Sequence, residues 1–251
     1  MSERFGHGEY RHSKAQGVAD ALNRLLFNLV LRCAKSEGIR DYFHVAVIGY
    51  GHPVGTLFGE ALAGNELLPI STIANHPLRI ERRERLFEGG EKSEVNFPIW
   101  IEPKAYGWTH MCEALSRAEK LVDHWVTAHP NGYPPLVFNL TDGGATDGDP
   151  VPIARAIMAK ATTDGAALSF NLHLSSRSPS IIQYPASNSG LPEKYAIRLF
   201  SMSSVLPDAI ADGLRQEGLA LQGGARAFVY NSDLVSVIQF LDIGTRPSNL
   251  R

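Results

Sequence analysis

Cysteine is scarce in this 251-residue chain: only Cys33 and Cys112 occur, and they form no C-x-x-C pair. That argues against a disulfide framework and a thiolate zinc site, and it leads us to expect a reduced, cytoplasmic compartment. Cationic excess is lacking as well. Lys and Arg number 24 against 26 Asp and Glu, a formal net charge of -2. The basic stripe that nucleic-acid binding needs is therefore not expected. No apolar run approaches the roughly 20 residues of a membrane span. The polar opening MSERFGHGEYRHSK has no apolar centre like that of a signal peptide. Neither H-E-x-x-H nor G-x-S-x-G occurs, so a zincin site and a nucleophile elbow are unsupported. GYGHPVG (49–55) imitates a dinucleotide-binding turn, but its glycine spacing is one residue too long and Pro53 stands where the helix should begin.

What remains is an alternation of short apolar runs and amphipathic segments. Ser13 is a plausible N-cap, and from Val18 to Cys33 apolar residues recur at three- and four-residue steps, which predicts a helix of about five or six turns. YFHVAVIGYG (42–51) reads as a buried strand that stops at glycines. Residues 52–77 read as loop with a helical turn. LRIERRERLFEGGEKSEVNFPIWIEP (78–103) reads as a hairpin whose charged first strand suits an exposed sheet edge. A second helix is expected over 110–129, a strand over 135–140, a helix from Val151, and a strand over 166–174. Two helices follow near the C-terminus, and RAFVYNSDLVSVIQFLDIG closes the chain with a strand and a helix. The expected fold is one α/β domain over 1–251, with a mostly parallel sheet, helices on both faces and an antiparallel edge hairpin. Ligands of such sheets bind beyond the carboxyl ends of the strands.

Two places at that edge carry candidate chemistry. VFNLTDGGATDGDP (137–150) sets Asp142, Asp147 and Asp149 close together, and two such charges ~5 Å apart cost roughly 3 kcal/mol at an effective dielectric near 20. Mg²⁺ or Mn²⁺ would remove that repulsion. Asp142, fixed by a strand end, is the candidate ligand; Asp147 and Asp149 read as turn and capping residues, the latter before the helix near Pro150. Gly143 and Gly144 are expected to make the sharp turn. In GWTH (107–110), Thr109 precedes a helix, and its hydroxyl can cap that helix or face a ligand. Cys33 and Cys112 read as packing residues.

The order of these segments resembles a von Willebrand factor type A (VWA) domain of the stand-alone bacterial kind: a helix SKAQGVADALNRLL, a strand VAVIGYG, GWTHMCEAL, then LTDGGATDGD. The resemblance implies a Rossmann-like sheet with a metal-ion-dependent adhesion site, and a non-enzymatic, protein-binding role. Five side chains build that site in the family. They hold Mg²⁺, and an Asp or Glu of the partner protein completes the shell. Thr109 and Asp142 match two of the five. The Asp-x-Ser-x-Ser motif that supplies the others is absent from this sequence. In relatives, Met commonly follows that motif, so Met1-Ser2-Glu3 reads as a start immediately after it. The expectation is of an upstream strand and motif, without which Mg²⁺ binds weakly or not at all. A Mg²⁺-dependent phosphoryl-transfer or hydrolytic enzyme using Asp142, and a metal-free scaffold, are the alternative readings.

Overall fold

The computed structural model describes residues 4–5, 12–51, 53–62, 64–86, 92–105, 107–174 and 181–232. Helix α1 runs over Lys14–Cys33, and the Ser13 hydroxyl accepts from the Gln16 N–H at its start. The expected hairpin forms from β1, Arg79–Leu86, and β2, Lys92–Ile99, paired residue for residue. Its tip at 87–91 lies outside the described residues. Helix α2 covers Met111–Ala128, β3 covers Leu136–Thr141, and α3 covers Val151–Met158 with proline in its first turn. Strand β4, Leu168–Leu174, is buried along its whole length. The short β5, Ile182–Gln183, precedes α4, Lys194–Ser201, and α5, Asp208–Gln216. Strand β6, Phe228–Ser232, ends the described chain. The closing segment beyond 232, read as the end of a strand and a helix, lies outside it.

The fold is mixed α/β, and its main sheet has the order β3-β4-β6-β5. The first two pairings are parallel and the last antiparallel, so the sheet is of mixed orientation. Strand β4 alternates sides in the manner of a central strand. Phe170, Leu172 and Leu174 pack with Ala21 of α1 and Ile210 and Leu214 of α5. Phe228 and Tyr230 of β6 instead join Leu115, Ile157 and Leu199 from α2, α3 and α4. A third cluster gathers the second half of α1 with Phe58, Ile70, Ile73 and Trp100.

Two expectations need correction. The hairpin pairs with no other described strand, so it is not an edge of the main sheet. The run 42–51 is not a strand of that sheet either. Only His44–Val45 and Ile48–Gly49 are extended, and they pair antiparallel with Leu68–Pro69 and Gly55–Thr56. The physical reason lies beside it. A cavity of about 970 Å³ separates this run from β3, walled by α1 on one side and α2 on the other. A strand needs a neighbour within hydrogen-bonding distance, and the run faces the cavity where that neighbour would be. As a dry, closed void, such a volume would cost on the order of 20 kcal/mol at about 24 cal/mol per Å³. Net domain stability is only about 5–15 kcal/mol, so water or another occupant must share this space.

Candidate functional site

Three loops meet at the carboxyl end of β3. The strand ends at Thr141, whose hydroxyl donates to the Gly143 carbonyl (2.7 Å) and accepts from the Gly143 N–H (3.2 Å). This side-chain turn places Asp142 just beyond the strand end. The Thr146 N–H donates to the Thr109 carbonyl (2.9 Å), and the Thr109 N–H donates to the Thr146 hydroxyl (3.1 Å). The His110 N–H donates to the Tyr50 carbonyl (3.0 Å), and the Tyr50 phenol donates to the Leu140 carbonyl. Loops 49–51, 107–110 and 142–149 are thereby knitted together at one edge. Thr109 and Asp142 stand on two of them. Burial pushes the Tyr50 hydroxyl well above its ordinary range, with Asp142 adding to the shift, so Tyr50 acts here as a donor and not as an ion. Trp108, next to Thr109, is 66% exposed.

Capping falls to other residues than Thr109. Asp147 receives the N–H groups of Cys112 (3.1 Å) and Glu113 (2.9 Å), which caps α2 from a loop 34 residues further along the chain. Burial opposes the charge of Asp147, but these two N–H groups outweigh it and hold the carboxyl below its usual range. Among the described residues the Thr109 hydroxyl makes no hydrogen bond. Asp149 accepts from the Val151 N–H (3.2 Å) at the start of α3, as expected of a capping residue. The turn itself depends on Gly148 and not on Gly143 or Gly144. Gly148 has φ +140°, and a Cβ there would stand 3.4 Å from Cys112 Sγ.

Lys14 is the site residue that sequence reasoning missed. It is the first residue of α1 and nearly buried, and its ammonium lies 4.0 Å from an Asp142 carboxylate oxygen. A cation in the first helical turn works against the helix dipole, so a Lys at this position calls for a carboxylate nearby. That conflict was the readable signal.

His173 was also missed. It pairs with Thr141 across the β3/β4 ladder, is 2% exposed, and stacks on Tyr230 at 4.6 Å between ring centroids. The β4/β6 register shifts at this point, and nearby Asn231 is held at φ +60°. Burial pushes the imidazole down to about 4; the Glu193 and Asp142 carboxylates pull the other way, and the Lys14 charge adds to the burial effect. The unfolded chain, with an ordinary value near 6.5, therefore takes up the proton first. His173 contributes up to about 3 kcal/mol that is fully present above pH 6.5 and is lost as the pH falls toward 4. We expect the urea midpoint to fall over that window, and His173→Gln to remove this part of the pH dependence.

The oxygens of Asp142 and Thr109 suit Mg²⁺ in kind but not in number. Mg²⁺ takes about six oxygens, several of them water, usually with one or two carboxylates. Here the Asp142 carboxylate stands beside an ammonium, and Thr109 adds a single hydroxyl from a neighbouring loop. Among the described residues no group of three or more His, Cys, Asp or Glu is placed to hold a metal ion. These residues alone do not fit a resident Mg²⁺. Cys112 offers no nucleophile, because burial, with Asp147 adding, pushes its thiol up to about 11. Among the described residues no helix is long and apolar enough to cross a membrane. Comparison with protein-family models, with curated proteins and with solved structures finds no match.

Proposed function

We propose that this chain is a non-enzymatic, cytoplasmic protein-interaction domain of the VWA kind, with a Rossmann-like, three-layer arrangement. Its binding surface is the edge that carries Thr109 and Asp142. The observation that supports this reading most is the knitting of loops 49–51, 107–110 and 142–149 at the carboxyl end of a parallel strand, where open α/β sheets receive their ligands. Trp108 adds an exposed aromatic beside it, a side chain favoured at interface centres. The partner is a protein that offers an Asp or Glu. Mg²⁺ dependence belongs to this proposal only for a site with oxygen ligands beyond Thr109 and Asp142.

The test is partner binding with and without EDTA, in the wild-type protein and in Asp142→Ala. Loss of binding in Asp142→Ala is expected; loss in EDTA as well marks a site whose further oxygen ligands complete a metal shell. Undiminished binding in both refutes the reading, and phosphatase activity in the purified protein would favour the enzymatic alternative.

A further inference from the structure

We propose that Lys14 is a tethered cation for the Asp142 edge: its ammonium neutralises that carboxylate from within the fold and competes with any divalent ion for it. The inference rests on the reading of Asp142 as the site's carboxylate, and it would hold whichever protein the edge receives. The donor set does not fit a resident Mg²⁺, and Lys14 stands where the positive charge would be.

The place of Lys14 is unusual for its residue type. It is 3% exposed, and lysines are almost never fully buried unless paired. It is also the first residue of α1, where the helix dipole opposes a cation. No acidic residue stands in that first turn to offset it. The compensation comes from the far loop, where an Asp142 carboxylate oxygen lies 4.0 Å from the ammonium. His173 feels both charges: Lys14 helps to push its imidazole down, and the Asp142 carboxylate works against that. The two opposite charges and the neutral ring thus form one cluster at the carboxyl ends of β3 and β4.

The pair is open on one side only. The Lys14 side chain is 4% exposed and that of Asp142 is 20%. Asp142 and Thr109 also line the cavity beside β3, so the carboxylate has a side from which an ion can arrive. Both ends of the pair are fixed by the fold. The Ser13 hydroxyl caps α1, Asn23 ties the same helix to Trp100 and Ile101, and the Thr141 hydroxyl sets the turn that carries Asp142. The ammonium is therefore in position before any ion approaches.

The other carboxylates of the acidic loop are satisfied in the same way. Asp147 accepts the Cys112 and Glu113 N–H groups at the positive end of α2. Asp149 accepts the Val151 N–H and lies 3.7 Å from the Arg198 guanidinium. The repulsion among Asp142, Asp147 and Asp149 that a divalent ion would relieve is already relieved by groups of the protein. An ion that reaches Asp142 then meets the Lys14 charge. A unit positive charge about 6 Å from a divalent ion weakens its binding roughly tenfold even at the dielectric of water, and more at the edge of a protein.

The test is paramagnetic broadening of backbone amide resonances by Mn²⁺, which reads even a sparsely occupied site. At one low Mn²⁺ concentration, the Gly143 amide should broaden about tenfold more, or beyond, in Lys14→Met than in the wild-type protein. Methionine keeps the length and the apolar contacts of the lysine stem. Lys14→Arg, which keeps the charge, should broaden as little as the wild type. Adding Asp142→Asn to Lys14→Met should abolish the gain. A second comparison needs no substitution. In the wild type, Gly165, beside the exposed Asp164, should broaden more than Gly143, because no ammonium or guanidinium pairs with Asp164 among the described residues. Equal broadening at Gly143 in the wild type and Lys14→Met overturns the proposal, and is what an ion pair with a structural role alone would give. So does a gain that survives Asp142→Asn, or wild-type broadening at Gly143 that matches or exceeds that at Gly165. The expected gain together with partner binding indifferent to Asp142→Ala would count against the interaction reading alone.

Discussion

Replacing Asn23 with leucine is expected to lower the unfolding free energy by about 4–6 kcal/mol, measured by urea or thermal denaturation. Asn23 is 2% exposed on the buried face of α1. Its carbonyl oxygen accepts from the N–H groups of Trp100 (2.8 Å) and Ile101 (3.0 Å), and its amide donates to the Ile101 carbonyl (2.9 Å). One side chain thus does for the end of the hairpin what a neighbouring strand would do. Leucine has nearly the same volume, so little packing is lost. It strands two backbone donors and one acceptor in the core, each at about 1–3 kcal/mol. Asn23→Asp should cost less, because the two donors keep an acceptor. Leucine and aspartate variants of equal stability would rule out this role.

Asn171→Leu is the second large effect, expected at about 3–4 kcal/mol by the same measurement. Asn171 is fully buried in β4, two residues below His173. It accepts from the Asn139 amide (2.9 Å) and donates to the Ser203 hydroxyl (3.1 Å), which in turn donates to the Leu199 carbonyl (2.8 Å). This chain of bonds ties β3 to β4 and β4 to the end of α4 beneath the candidate site. Leucine leaves the Asn139 amide with only the weak Met111 sulfur acceptor in a low-dielectric interior. The variant should therefore raise amide exchange in β3 more than in α5.

These two asparagines mark where sequence reading stops. The α1 stripe and its Ser13 cap were legible because apolar spacing and a hydroxyl act locally. The same local rules place Asn23 among solvent-facing polar residues, since its partners lie 77 and 78 positions away. The hairpin was legible from its turn-rich tip and flanking apolar residues, but its separation from the main sheet was not. The run 42–51 has the composition of a strand, and composition reports what a segment could pair with, not whether a neighbour is there. At the site, Asp142 stood out as a carboxylate at a strand end. Lys14 and His173 did not, because a buried cation and a buried imidazole are recognised only by the groups that surround them. Asp147 looked like a turn residue until α2 supplied the N–H groups that it caps.

The most direct measurement of the central claim, that the Thr109 and Asp142 edge is the binding surface, is Mn²⁺ binding followed by electron paramagnetic resonance. It should be made on the wild-type protein and on its Asp142→Ala variant, each bound to its protein partner, whose carboxylate adds the oxygens that Asp142 and Thr109 alone do not supply. The proposal predicts Mn²⁺ uptake by the wild-type complex and none at the same concentration by the Asp142→Ala complex, where the remaining charge at the site is the Lys14 ammonium. Equal Mn²⁺ uptake by the wild-type protein and Asp142→Ala would contradict it.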